Sequence, residues 1–252
     1  MVILSLLLGA RAASGPPVGT LLLAGGGALP GTIYDEFIDL AGGLSADIVI
    51  IPTAAAAPGK PGWDAPLKAR GATSVTVLHT TDRDEASSAA FLSAIQGADA
   101  VWFTGGRQWR VMDAYLNTGT ETALSDLLAR GGVIGGTSAG ATIQGSLLLR
   151  GDTATNTIML GDHQQGFGWL DGVAIDQHLL TKNRQFDLLP VIAAHPEVVG
   201  IGLDEGMAVV IRGNVLEVIG RSYAAIYDSQ DPRPFVLIAP GERYNLKTRA
   251  TP

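Results

Sequence analysis

Ser138 lies in Gly136-Thr137-Ser138-Ala139-Gly140, a G-x-S-x-G pattern. The apolar run Gly132-Val133-Ile134-Gly135 precedes it, and Ala141-Thr142-Ile143-Gln144 follows with helical character. A strand that turns sharply into a helix holds its central serine in a strained backbone and lifts the hydroxyl clear of the sheet. The helix start offers free N–H groups and positive potential where an oxyanion would form. These are the needs of a nucleophile in acyl transfer. The alternative is a tight glycine turn with a buried or capping serine.

A serine nucleophile needs a base, and the chain has four histidines: His79, His163, His178 and His195. The order serine, acid, late histidine of α/β-hydrolases fits poorly. No histidine follows His195, and His195-Pro196 reads as a helix end. This disfavours a lipase or esterase. His178 is better placed, directly after the strand Val173-Ala174-Ile175 and the polar pair Asp176-Gln177. Polar groups at the carboxyl end of a strand face the region where α/β sheets bind ligands. An acid must then orient the imidazole and stabilise its charged form. Glu205, ending Gly200-Ile201-Gly202-Leu203-Asp204-Glu205, is the first candidate, and Asp204 competes by side-chain alternation.

The elements that must position these groups alternate. Thr20–Ala24, Asp47–Pro52, Ser74–Leu78, Ala100–Thr104 and Val133–Gly135 read as short strands bounded by Gly, Pro or Asp. Between them Thr32–Leu40, Ala86–Ile95, Gln108–Leu116 and Thr120–Ala129 read as helices. Continuously apolar strands alternating with helices predict an α/β fold with a mostly parallel central sheet flanked by helices. Past Asp171 the links shorten, and Val173–Ile175, Val199–Leu203, Met207–Ile211, Val215–Ile219 and Phe235–Ile238 read as a more antiparallel C-terminal extension of the same sheet. Arg212-Gly213-Asn214 reads as a hairpin turn. Gly25-Gly26-Gly27 lacks the spacing of a nucleotide loop and reads as a turn lining one wall of the cleft. Trp102, Trp109 and Trp169 could stack a ligand or simply pack.

Composition narrows the classes. The 252 residues are 46% hydrophobic and 16% charged, which excludes disorder. A net charge of -7 without a basic run argues against nucleic acid as a partner. With no cysteine and no H-x-x-x-H pair, neither a metal nor another cofactor is expected. The apolar stretch 2–10 is too short to span a bilayer. With Ala10-Arg11-Ala12 behind it, it reads as a short signal peptide over residues 1–13, implying a periplasmic or secreted protein. An ordinary apolar start to a cytoplasmic protein is the alternative. Residues 14–252 then form a single domain.

Phe103-Thr104-Gly105-Gly106, Gly136 to Ala141, Asp176-Gln177-His178 and Gly200 to Glu205 occur in this order. Together they resemble the cyanophycinase family of serine peptidases, relatives of the aspartyl dipeptidases. The resemblance runs from about Leu21 to Ala239-Pro240-Gly241. It implies a class I glutamine amidotransferase-like fold and a serine exopeptidase acting on peptide or isopeptide bonds of the β-aspartyl type. It implies Ser138 as nucleophile, His178 as base and Glu205 as acid, with an oxyanion hole from the amides of Gly106 and Ala139. Gln108, Asp176 and Gln177 match pocket residues. The family typically follows its DQH with a phenylalanine and three spaced arginines. Here those positions hold Leu179, then Lys182, Arg184 and Asp187, and Arg107 stands where an acidic residue is frequent. Lysine lacks the planar fork of arginine, and Asp187 reverses a charge. Relatives are often homodimers. The reading of a different class is a non-hydrolytic binding module on the same fold.

Overall fold

The computed structural model describes residues 12–252. The apolar run 2–10, and with it the expected export signal, lies outside the described residues. Strands and helices are numbered along the chain. Strands β1 (Thr20–Ala24), β5 (Val133–Thr137), β4 (Ala100–Phe103), β2 (Asp47–Ile51) and β3 (Ser74–Val77) pair side by side in parallel. β9 (Met207–Arg212), β10 (Val215–Gly220) and β13 (Arg243–Asn245) continue the other edge of β1 in antiparallel fashion. The sheet therefore has eight strands in the order β13-β10-β9-β1-β5-β4-β2-β3. β9 and β10 pair Arg212 with Val215 around Gly213-Asn214, the expected hairpin.

The uninterrupted apolar strands are buried on both faces, and alternation sorts their side chains. Leu22, Ala24, Ile48, Ile50 and Trp102 pack against Ile33, Phe37 and Ile38 of α1 (Gly31–Ala41) and Leu67 of α2 (Ala65–Lys68). Leu21, Leu23, Val49, Val101 and Ile134 face the other way. There they meet α3 (Ala89–Gln96), α4 (Gln108–Tyr115) and α5 (Gly119–Ala129). Local signals set the helix ends. Ser88 Oγ accepts the Phe91 N–H at the start of α3. Left-handed Gly42 closes α1, its N–H bonding to Asp39 O and that of Gly43 to Ile38 O.

The C-terminal third departs from the sequence expectation. β6 (Gly145–Leu147), β7 (Leu170–Gln177), β8 (Val199–Leu203), β11 (Ala224–Tyr227) and β12 (Val236–Ile238) form a second sheet, in the order β12-β11-β8-β7-β6. Only β9, β10 and β13 extend the first. β6, β7 and β8 run parallel. Hydropathy reports that a strand is buried, not which strand it pairs with. β7 and β8 are buried because the short helix α6 (Ala139–Thr142) and the first sheet cover one face, while α7 (Leu188–Ala194) covers the other. Among the described residues no helix is long and apolar enough to cross a membrane.

Phe103, at the carboxyl end of β4, is fully buried beside Phe167 and Trp169, with ring centroids 6.2 and 6.3 Å away. Truncation there opens a cavity between the sheets. Phe103→Ala is expected to lower the free energy of unfolding by about 3–5 kcal/mol, read from the midpoint of urea denaturation.

Candidate active site

Ser138 occupies the turn between β5 and α6 with φ 54° and ψ −112°, a strained backbone for a residue with a side chain. Its N–H donates to Ala24 O at 2.9 Å. The flanking glycines are steric requirements. A Cβ on Gly136 would stand 2.2 Å from Gly140 O, and one on Gly140 2.4 Å from Phe103 O. The G-x-S-x-G spacing is thus what lets strand, turn and helix approach this closely.

His178 follows β7 and also has a positive φ, 57°. Its N–H donates to Gly25 O at 3.1 Å. Its Nε2 lies 2.9 Å from Ser138 Oγ and its Nδ1 2.5 Å from Glu205 Oε1. A carboxylate only accepts, so Nδ1 carries the proton and Nε2 is free to accept from the serine hydroxyl. Burial pushes the imidazole below its usual pKa; the Lys182 and Arg184 charges push the same way, while Glu205 opposes them. His178 is therefore a neutral acceptor near pH 7.

Asp204, the competing acid, does different work. Its Oδ1 accepts the N–H groups of Leu180 and Thr181 at 3.0 and 2.9 Å, and its Oδ2 accepts Ser222 Oγ–H at 2.9 Å. Burial raises its pKa, but these hydrogen bonds outweigh that and hold the carboxyl below the usual range. Asp204 pins the loop that follows His178, and Glu205 reaches the ring.

The Gly25-Gly26-Gly27 turn does line the cleft. A Cβ on Gly26 would fall 2.3 Å from the His178 ring, and one on Gly27 2.2 Å from Glu205 Oε2. Across the site, a Cβ on Gly105 would stand 3.4 Å from Ser138 Cβ and 3.9 Å from its Oγ. Gly106 is exposed next to it. Among the described residues the amides of Gly106 and Ala139 make no hydrogen bond.

The expected pocket residues lie deeper. Gln108 is fully buried; its Nε2 donates to Leu149 O at 3.1 Å, and its Oε1 has no partner among the described residues. Asp176 is fully buried in a forked pair with Arg150, Nε to Oδ1 at 2.7 Å and Nη2 to Oδ2 at 2.9 Å. Arg150 Nη2 also reaches Asp187 Oδ2 at 2.7 Å. Gln177 is buried, and its Oε1 accepts Thr142 Oγ1–H at 3.3 Å. Arg184 donates to Gln177 O at 3.0 Å and stands 4.0 Å from Asp176 Oδ1. Lys182 is exposed and, among the described residues, has no ion-pair partner.

Sequence reasoning missed Arg150. Its one signal is a guanidinium closing the apolar run Leu147-Leu148-Leu149. The structure shows that the charge reversal at Asp187 is answered by this arginine. The other histidines are engaged elsewhere, His79 with Thr53, His163 with Asp113 and His195 near Glu197. Trp169 stacks on Phe167 in the core at 4.6 Å. Trp109 lies under Arg110, and Trp102 rests on Tyr34 and Phe37.

The family model of peptidase family S51 matches residues 21–219. The cyanophycinase of Geminocystis herdmanii is 30% identical over 240 residues, covering 86% of this chain and 88% of that protein. The cyanophycinase of Trichormus variabilis is 32% identical over 203 residues, covering 78% of this chain and 68% of the relative. Among solved structures, a peptidase from an acI-B1 actinobacterium superposes with a TM-score of 0.69 at 24% identity, covering 92% of this chain and 98% of its own. A putative peptidase E from Listeria monocytogenes gives 0.60 at 18% identity, over 81% and 99% of the two chains. The structural likenesses establish the α/β fold with its mostly parallel, helix-flanked sheet.

Two outcomes follow from the relay. Glu205→Gln is expected to lower kcat by ~10³-fold or more, by the precedent of triad carboxylates. Asp204→Asn, whose carbonyl oxygen can still accept, should cost under about tenfold and appear mainly as a lower thermal midpoint. The reverse ranking would make Asp204 the acid. The second outcome concerns pH. The acid limb of kcat/KM should rise with a midpoint below the usual imidazole range. Lys182→Met removes a cation that disfavours the imidazolium, so the midpoint should move up; an unmoved midpoint would detach the limb from His178.

Proposed function

The chain belongs to peptidase family S51 and is a serine-type peptidase, and on that premise we propose that it is an exopeptidase cleaving peptide or isopeptide bonds of the β-aspartyl type through Ser138, His178 and Glu205. The observation that carries this reading is the continuous relay, 2.9 Å from Ser138 Oγ to His178 Nε2 and 2.5 Å from His178 Nδ1 to Glu205 Oε1. A binding module has no use for such a relay.

Ser138 attacks the scissile carbonyl while His178 Nε2 takes its proton. Glu205 stabilises the imidazolium through Nδ1–H. The carbonyl oxygen, now negative, settles on the amides of Gly106 and Ala139. Each such donor is typically worth ~3 kcal/mol of barrier. His178 returns the proton to the leaving nitrogen, and the amine departs. Water then attacks the ester, giving its proton to His178, which passes it to Ser138 Oγ as the acyl group leaves as the acid.

Lys182 and Arg184 favour an acyl group that carries a carboxylate. Lys182 is exposed beside the histidine, and Arg184 lies behind it against Gln177 O. Asp176 and Gln177 support the floor rather than presenting free polar groups, because their side chains are buried and partnered. With Arg150 committed to Asp176 and Asp187, the pocket offers one ammonium and one guanidinium to substrate. Its preference among β-aspartyl compounds should therefore differ from that of a pocket built on three arginines.

The test is hydrolysis of cyanophycin, β-aspartyl-arginine, β-aspartyl-lysine and α-aspartyl dipeptides by the protein and its Ser138→Ala variant, with fluorophosphonate labelling alongside. Labelling and turnover of at least one β-aspartyl compound are expected, both lost in the variant. Retained hydrolysis in Ser138→Ala would sink the nucleophile, and absent labelling with no turnover would point to the binding module.

A further inference from the structure

A cavity of about 160 Å³ opens beside the nucleophile turn, on the face of the first sheet covered by α1 and α2. Tyr34, Trp63, Trp102 and Leu67 form its walls, and Gly105 and Thr137 form its floor next to Ser138. We propose that this aromatic cup is a specificity pocket that receives an apolar side chain, leucine- or phenylalanine-sized, from the residue on the leaving side of the scissile bond.

The cup is built rather than incidental. Trp102 is braced by Tyr34 at 5.5 Å and by the edge of Phe37 at 4.9 Å. Trp63 stands in the Pro- and Gly-rich loop after β2 and is fixed by its Nε1–H donating to Pro58 O at 2.8 Å. Gly105 joins the cup to the chemistry, since its Cβ position is 3.9 Å from Ser138 Oγ. The volume suits one branched or aromatic side chain and no more.

The charges around the cup decide its occupant. An aromatic cage could also take a guanidinium by cation–π attraction. The carboxylates nearest in sequence are already neutralised, however. Asp35, next to Tyr34, accepts a forked pair from Arg70 with both contacts at 2.5 Å, and Asp64, next to Trp63, pairs with Lys68 at 2.5 Å. Among the described residues no carboxylate lines the cavity. The Tyr34 side chain is half-buried in the lining, and its hydroxyl is the polar tip of an otherwise aromatic and aliphatic wall. Lys182 and Arg184, the cations that act on His178, do not line the cup. The cleft thus sorts its ligand, an anionic acyl part toward the cations and an apolar leaving residue toward the rings.

This inference rests on the β-aspartyl reading above, so its test separates the two. The protein, Trp63→Ala and Trp63→Phe would be assayed on β-aspartyl-glycine, -leucine, -phenylalanine and -arginine. Binding of the same compounds to Ser138→Ala would be followed by tryptophan fluorescence, which needs no turnover. The wild type should favour leucine and phenylalanine over glycine and arginine by ~10-fold or more in kcat/KM. Trp63→Ala should flatten that preference, and Trp63→Phe should restore most of it. Serine-dependent turnover without the preference, a preference for arginine, or a preference that survives Trp63→Ala would overturn the pocket and leave the peptidase reading intact. No turnover, with tighter binding of the phenylalanine than the glycine compound to Ser138→Ala, would uphold the pocket and remove the reaction. Equal binding of all four with no turnover would overturn both.

Discussion

Three consecutive carbonyls at the end of β1 hold the candidate site together. Ala24 O accepts the Ser138 N–H, Gly25 O accepts the His178 N–H, and Gly26 O accepts the N–H of Gly206, next to Glu205. Each bond ties one member of the relay to the same stretch of chain. Ser138 comes from the first sheet, while His178 and Glu205 arrive from the ends of β7 and β8 in the second. Their side chains meet within hydrogen-bonding distance because their backbones are fastened to one edge. The glycines at 26 and 27 are the counterpart of that arrangement, since the imidazole and the carboxylate occupy the space that Cβ atoms would need.

Much of this is legible in the residues. The G-x-S-x-G turn, the histidine after a strand and the carboxylate after another are local patterns, and the packing demands at Gly136 and Gly140 explain why the first is specific. The parallel strands β1 to β5 are equally local, each an apolar run with a turn at its end. The division into two sheets is not local. β8 and β9 are separated by a short turn and read alike, yet they belong to different sheets. Their partners, β7 and β1, are set by what covers each face.

The polar floor was beyond pattern reading for a related reason. Asp176 looks like a pocket residue in sequence, and only the fold brings Arg150 across to fill it. Asp187 looks like a lost substrate contact, and it proves to be the second anchor of that same arginine. A buried guanidinium must meet carboxylates to offset its desolvation, so the three side chains depend on one another. Asp204 and Glu205 make the same point at shorter range. The two carboxyls are adjacent in the chain, and backbone direction alone separates a loop anchor from a relay member.

The order of these parts along the chain also governs when the relay exists. A polypeptide emerging from the ribosome exposes its serine long before the imidazole and the carboxylate follow, and domains generally mature as units. Ser138 Oγ then lacks its contact with His178 Nε2 until β7 and β8 have paired and their ends have docked on β1. On the proposed mechanism the chain is built chemically silent, and it becomes reactive only when the last third closes on the first.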